Sequence, residues 1–553
     1  MQEYSILINL LIIIPFLSGL FLIFNHQNFL LSLIIKIIHF IFPVNFFYKF
    51  LRLKKNSKLK KNNEKNKKVK NYPELLVWIA SFISFIISLL LFFDLKNGIE
   101  SYNFIYNISR EYNINYSLQI NNLNIYLILL TNIISIIAII ESPIKNNINS
   151  NDSNDSNDNI VKNEIYLLNE SHLDIKEENK SIVQNNIYYA LVLILSAGIN
   201  TFFLAKDIVL FYILYEFILI PTFIIIGVWG GKNKNYAAMK FFLYTFILSI
   251  ISLVAIIFII SFLKNSDIDY ISNNINIIPK EYTIWLWIAF LISFAVKIPM
   301  IPFHTWLPDA HVEAPTGGSI ILAAILLKMG GYAMQKILIP FFPEISENFS
   351  NLIIGWSCFT MIYTSFIAFS QQDMKKMIAY SSISHMSYLT ASIFAGTKYS
   401  QLAATIQMIS HGLISAGIFL LIGIISEITH DRSISKYSGI ARTNPKIAVF
   451  FIAFVMASIG FPGTSGFIAE FICLNAVFLN NTIYGLIMTS GMIFSAIYII
   501  NLIEKIIFGT SSIDSKAIKP LNFSRIITLS FLIFLIILIG LKPSSIFYEF
   551  PKK

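Results

Sequence analysis

Four ionisable side chains stand where an apolar helix should carry none. Glu216 lies within the run Leu210–Ile226, Lys297 within Leu286–Phe303, Lys328 within Ile320–Gln335, and Glu470 follows Gly466 in the run 447–480. A charge at the centre of a membrane helix costs at least ~2.5–3.5 kcal/mol on insertion scales, so each of these groups needs a partner or an aqueous cavity. Two acids with two lysines suit proton transfer. Burial disfavours the charged form of both types, and an opposite charge within ~4–6 Å restores it, so a small movement of the partner switches proton affinity. Lysine can release its proton, whereas arginine stays charged. The same residues are also compatible with structural ion pairs, or with long side chains that snorkel to an interface. His304, His311, His385 and His411 lie in or beside the same runs. Imidazole titrates near neutrality and suits relay, although a single membrane histidine equally serves as a packed hydrogen-bonding group. Four histidines without clustered carboxylates do not make a metal site.

Two of the runs are interrupted. Pro299 and Pro302 remove two backbone donors just after Lys297, and Gly460-Phe461-Pro462-Gly463-Thr464-Ser465-Gly466 precedes Glu470. Broken helices at membrane depth are tolerated where they line a cavity or are buried in protein, and matched breaks in two halves of a chain suggest an internal repeat.

The elements that must hold these groups follow from composition. Of 553 residues 56% are hydrophobic and 13% charged, against about 25% charged in a soluble domain. Mean hydropathy is +0.67. A soluble globular fold is excluded, and an all-α polytopic membrane helical bundle is expected. Apolar runs predict about 14 transmembrane helices, near 5–24, 75–93, 122–140, 187–205, 207–229, 241–263, 283–303, 318–335, 351–369, 377–396, 402–426, 447–480, 483–503 and 526–541. Spans four to eight and nine to thirteen then form two five-helix units, with a break in the fourth helix of each: the seventh and twelfth spans. An odd helix number makes the two repeats inverted.

Charge location excludes nucleic acid as a partner. Between Lys49 and Asn71 stand eleven Lys/Arg and one acid, Glu64, which accounts for the whole net charge of +10. Past Phe50 no aromatic is interleaved there, so the run reads as a solvated basic loop beside a bilayer. With the two long insertions left out, loops leaving odd-numbered spans carry thirteen Lys/Arg against seven on the other face, which places the odd loops on the positive side and both chain ends opposite. The stretch 29–51 fits this parity as an interfacial, non-spanning helix. Met1–Gly19 lacks the basic residues of a targeting segment and reads as the start of the first span. The tract 145–186, with its Asn/Asp/Ser repeats and eight acids against four lysines, is expected to be disordered. It lacks the Gly and distal Glu of a calcium loop. The expected organisation is therefore a first span at 1–24, a basic insertion at 25–73, spans two and three at 74–144, the polar insertion at 145–186, repeat one at 187–340, repeat two at 341–510, and a last span with its tail at 511–553. Cys358 and Cys473, both in apolar segments, provide neither a disulfide framework nor a cluster site.

The string Lys297-Ile-Pro-Met-Ile-Pro-Phe-His304-Thr-Trp-Leu-Pro-Asp-Ala-His311-Val-Glu-Ala-Pro-Thr-Gly-Gly-Ser319 closely resembles the signature of the antiporter-like membrane subunits of respiratory complex I, NADH–ubiquinone oxidoreductase. The resemblance continues through Leu326-Leu-Lys-Met-Gly330, Ile378–Met386, Ser410–Leu413 and Phe461–Phe471. It covers 187–510 strongly and 74–142 weakly, and leaves the two insertions outside. Glu470 and His304 favour the chain 4 group, because the chain 2 and chain 5 groups carry lysine at the Glu470 position.

This resemblance implies a fourteen-helix fold with inverted repeats. It implies that Glu216 tunes Lys297, that Lys297 is the central proton carrier, that Lys328 links two half-channels, that Glu470 lies in the exit half, and that His304, His385 and His411 join the polar axis. It further implies a proton-translocating, non-redox subunit of the mitochondrial inner membrane. Its neighbours would be chains 2 and 5, with a lateral helix of chain 5 crossing it. Where bacterial relatives place an acid at the start of the third span, this chain reads Ile120-Asn121-Asn122-Leu123, while Asp207 matches its counterpart. FMN, iron–sulfur clusters and ubiquinone belong to the whole complex. With no Gly-rich dinucleotide turn and no cysteine ligands, no cofactor or metal is expected on this chain. The alternative is a cation/proton antiporter subunit without a redox partner. A purely structural scaffold would leave the buried charges without a use.

Overall fold

The computed structural model describes residues 2–24, 72–96, 101–109, 111–143, 164–429, 431–510, 512 and 518–547. The interfacial helix expected at 29–51, the basic run after it and the Asn/Asp repeat of 151–158 lie outside the described residues.

Long stretches of Ile, Leu and Phe can satisfy their backbone in hydrocarbon only as helices. A helix stands at each expected span. Among the described residues ten are long and apolar enough to cross a bilayer, and Asn124–Ile140, Pro445–Ser458 and Ser465–Asn480 are shorter apolar helices. Lys280–Lys297 and Met374–Phe394 complete the series. Burial ranks them. Thr316–Phe341 and Ser400–Ile425 have all of their apolar window buried, whereas Pro73–Lys96, Lys234–Leu263, Thr482–Ile507 and Phe523–Leu541 have 39%. The bundle therefore has two central helices, which carry Lys328 and His411, and a rim that presents residues such as Phe82, Ile247, Ile493 and Phe534 outward.

The helical membrane bundle stands as expected, with four differences in detail. First, Tyr102–Ser109 (β1) and Ile114–Ile120 (β2) form an antiparallel hairpin between the second and third spans. Asn, Tyr, Ser and Ile in alternation cannot supply a long apolar helix but do suit a strand with one face packed. β2 is held further by a bridge between Leu118 and Ala205 and by the Lys206 amide on the Ser117 carbonyl, 2.9 Å. Second, the C-terminal part of the polar insertion is helical: Glu164–Leu204 is one 41-residue helix. Extending an anchored helix avoids the cost of a new nucleus, and Glu- and Lys-rich sequence propagates well. Third, the fifth span, Ile208–Trp229, is locally irregular at Ile218, directly beside Glu216 and one residue after Phe217, whose carbonyl Pro221 leaves without a helical donor. Fourth, the eighth span runs further, over Thr316–Phe341, and contains two π-helical stretches, Leu322–Leu326 and Met334–Leu338, on either side of Lys328.

The breaks expected in the seventh and twelfth spans are present. Lys280–Lys297 stops at the lysine, and the chain resumes helix at Trp306–Glu313. Two carbonyls at this break are taken by indoles: Trp306 Nε1 donates to the Val296 carbonyl at 3.0 Å and Trp356 Nε1 to that of Ile301 at 2.7 Å. In the twelfth span Gly460 and Gly463 adopt φ of +79° and +91°, a region costly to residues with a Cβ, and Gly466 lets the second half-helix pack directly on the Ala457 carbonyl.

Two short antiparallel bridges recur five helices apart. Asp207 caps Ile208–Phe217 and bridges to Asp267; Asp373 caps Met374–Phe394 and bridges to Ser433. The amide of the residue after each cap donates to the partner segment, Ile208 to the Ser266 carbonyl at 2.9 Å and Met374 to that of Arg432 at 3.0 Å. The same staple thus lies between the first and second helices of each proposed five-helix unit.

Candidate functional site

Lys297 is the last residue of its half-helix, where the helix dipole favours a cation. It is 3% exposed. Its ammonium donates to the Tyr215 carbonyl at 2.5 Å and stands 3.2 Å from the centre of the Tyr215 ring. The carbonyl is that of the residue before Glu216, so the lysine reaches the irregular fifth span at the acid's own turn. Glu216 itself accepts no hydrogen bond at either carboxylate oxygen. No ion pair within 4.0 Å links Glu216 to Lys297 among the described residues, yet their charges interact. The arrangement is an open pair, in which a modest swing of the lysine would exchange a neutral carbonyl for a carboxylate.

Lys328 is fully buried at the centre of the bundle. Its ammonium contacts the Ala323 carbonyl at 2.5 Å and His411 Nδ1 at 2.7 Å. The His411 and His385 rings are 6.0 Å apart between centroids. His385 Nδ1 lies 2.8 Å from Glu470 Oε1, and its Nε2 lies 3.4 Å from Ser458 Oγ on the other half of the broken span. Four of the seven expected residues therefore form one buried series across helices 316–341, 400–425, 374–394 and 465–480: Lys328, His411, His385, Glu470. Glu470 Oε2 has no partner.

His304 follows the first break, buried between Tyr363 and Tyr380 at centroid distances of 6.5 and 6.2 Å, with Nδ1 unpartnered. Among the described residues no hydrogen bond, ion pair or ring contact joins it to the Lys328 series. Near it Lys240 meets Asp309 at 2.6 Å, both partly exposed. Pro299, Pro302 and Pro462 sit in the breaks and shape the backbone there.

Sequence reasoning missed several groups. Tyr215 contributes a carbonyl and a ring face, and a backbone acceptor leaves no mark on residue type. Lys375, counted as a loop charge, is 4% exposed and donates to the Ala314 carbonyl at 2.8 Å and to Ser319 Oγ at 3.2 Å. The available signal was Asp373, a helix cap two residues earlier, which puts Lys375 in the first turn. Arg525 joins Glu141 through Nε and Nη2 at 3.0 and 2.9 Å and Glu427 through Nη1 at 2.7 Å, pinning the last span to the ends of the third and eleventh. Among the described residues no group of three or more His, Cys, Asp or Glu could hold a metal ion.

With this geometry in hand, comparison with known proteins is informative. The family described as "NADH:quinone oxidoreductase/Mrp antiporter, TM" matches residues 205–496. The chain is 48% identical over 351 residues to NADH-quinone oxidoreductase subunit M of Rickettsia conorii, covering 63% of this chain and 71% of that one. It is 36% identical over 482 residues to NADH-ubiquinone oxidoreductase chain 4 of Chondrus crispus, covering 86% and 89%. In structure it resembles a chain of respiratory complex I from Thermus thermophilus with bound NADH, at a TM-score of 0.75 and 20% identity, covering 98% of this chain and 96% of that one. At that identity the likeness speaks to the fold.

Proposed function

Because the chain belongs to the NADH:quinone oxidoreductase/Mrp antiporter family, we propose that it is a proton-translocating membrane subunit of a mitochondrial NADH:ubiquinone oxidoreductase, carrying protons through the membrane without redox chemistry of its own. The observation that carries this reading is the buried series Lys328–His411–His385–Glu470, closed by contacts of 2.7 and 2.8 Å at its two ends. Such groups are costly in hydrocarbon and repay that cost as a proton path.

In this reading Lys297 holds its proton while it faces Glu216 and releases it when it swings to the neutral Tyr215 carbonyl, and the proton reaches Lys328 at the bundle centre. His411 and His385 then pass it to Glu470. A neutral imidazole accepts at one nitrogen and donates from the other, so each ring can relay without a net change of charge. His304 lies on the route to Lys297. The two five-helix units, 187–340 and 341–510, act as inverted repeats; the recurring staples at Asp207 and Asp373 support this pairing. Flavin, clusters and quinone are held by other subunits, and the coupling to them is conformational or electrostatic. The neighbours are chains 2 and 5, with the lateral helix of chain 5 along the rim. An inner-mitochondrial-membrane location draws support from the chain 4 relatives and from the chain's abundance of Ile, Asn, Lys and Phe.

The test is native purification with identification of partners and an NADH–quinone assay. Co-migration with flavin- and cluster-bearing subunits supports the reading. Recovery with small membrane chains only, together with sodium/proton exchange in vesicles, would replace it with the cation/proton antiporter, the other branch of the family's description.

A further inference from the structure

One buried cation is used by neither half of this path. Lys375 opens the helix Met374–Phe394, and its acceptors are the neutral Ala314 carbonyl and Ser319 Oγ. No carboxylate lies within 4.0 Å of its ammonium among the described residues. A lysine held in this way keeps its proton at a cost and can release it. Beside it, Ser319 Oγ lies against the carbonyls of His311 and Ala314 at 3.2 and 3.3 Å.

His311 is the second unused group. It is wholly buried, and both ring nitrogens lack a partner. Its ring is fixed against Phe419, 4.5 Å between centroids and 8° from parallel. Buried polar atoms are almost always bonded, so two orphans on one ring call for an explanation. Ser319 Oγ joins Lys375 to the His311 backbone, at 3.2 Å on each side, and the charges of Lys375 and Lys328 both act on the ring. At the same helix end, two residues before Lys375, Asp373 pairs with Arg432 at 3.1 Å, both partly exposed, and Arg432 Nη1 holds the Val312 carbonyl at 2.5 Å. The loop 312–315 is thus tied to this helix end by two cations.

We propose that Lys375 and His311 form a second proton-access branch to Lys328, opening on the face that carries Arg432 and Lys376. This rests on the proton-path reading above. A proton moves from the Lys375 ammonium to one His311 nitrogen, and from the other nitrogen to neutral Lys328; no electrons are exchanged, and Lys375 is reloaded from the aqueous side. The flexible lysine arms supply the motion each transfer needs. Arg432 is a positioning residue, since it holds the loop and not the proton.

The experiment compares Lys375→Arg, His311→Gln and Lys297→Ala in the purified complex in vesicles, measuring assembly, NADH oxidation and protons moved per NADH. Lys375→Arg keeps a cation and its donors but cannot deprotonate. The branch predicts that it assembles, oxidises NADH and moves fewer protons per NADH than the parent complex, with a loss no larger than that of Lys297→Ala, and that His311→Gln does the same. Full translocation by assembled Lys375→Arg would mean that the lysine is only a staple, and overturns the branch. If Lys375→Arg fails to assemble, His311→Gln decides: full translocation overturns the branch, loss supports it. Normal translocation in Lys297→Ala as well would overturn the underlying path reading, an outcome distinct from failure of the branch alone.

Discussion

Glu470 and His385 meet at 2.8 Å across two helices, carboxylate oxygen to ring nitrogen, with both side chains nearly excluded from solvent. At the other end of the site Glu216 and Lys297 make no such contact. One acid–base pair is closed and the other open, and the asymmetry gives the path a state.

If the closed pair carries protons, Glu470→Gln preserves shape and removes the acid. Loss of a positioned acid or base typically slows its step by about 10²-fold or more. We expect protons per NADH to fall while the complex assembles and oxidises NADH. An unchanged ratio would remove Glu470 from the path.

The open pair makes a parallel prediction. Lys297→Ala removes the carrier and Glu216→Ala its alternative partner, and each should suppress NADH-driven translocation with assembly intact. Because the Tyr215 carbonyl takes the lysine in the structure, Glu216→Ala should leave Lys297 anchored and cost less stability than Lys297→Ala. Equal thermal midpoints for the two variants would contradict this ordering.

Helix packing at the second break can be tested apart from charge. A methyl at Gly466 meets the Ala457 carbonyl, so Gly466→Ala should cost about 1–3 kcal/mol by overpacking and lower the melting temperature. Gly227 has only Ala238 Cβ nearby, at 3.7 Å, and Gly227→Ala should be neutral or stabilise by roughly 0.5–1 kcal/mol. If the two glycines respond alike, the close approach is not what fixes the break.

Arg525 neutralises two acids at helix ends. Arg525→Gln leaves Glu141, 3% exposed at its side chain, without its counter-charge, a lesion worth about 3–5 kcal/mol. Adding Glu141→Gln should recover part of that loss. Thermal unfolding of the two variants measures this, and an unaltered midpoint in the single variant would assign Arg525 to the surface.

Much of the site was legible because hydrocarbon penalises charge: Lys297, Lys328, Glu216 and Glu470 stand out from apolar runs, and proline and glycine announce the two breaks. The rest depends on tertiary closure. Lys375 and Arg525 look like loop charges until the bundle folds over them. The irregularity at Ile218 carries its mark in Pro221, which gives the Phe217 carbonyl no donor, whereas the π-helical stretch Leu322–Leu326 has no proline or glycine within it. The hairpin 102–120 was hidden because it is too short and too polar to register beside runs of twenty apolar residues. Helix from Glu164 follows from anchoring, which composition alone does not reveal.

The first π-helical stretch ends two residues before Lys328 and includes Ala323, whose carbonyl the Lys328 ammonium takes at 2.5 Å. A side chain here ligates its own helix's irregularity. Replacing Lys328 by any residue without a long donor therefore deletes a charge and at once removes a donor from a backbone oxygen in one of the two central helices. Phenotypes at this lysine will sum a geometric and an ionic injury, and only a substitute that still reaches Ala323 separates the two.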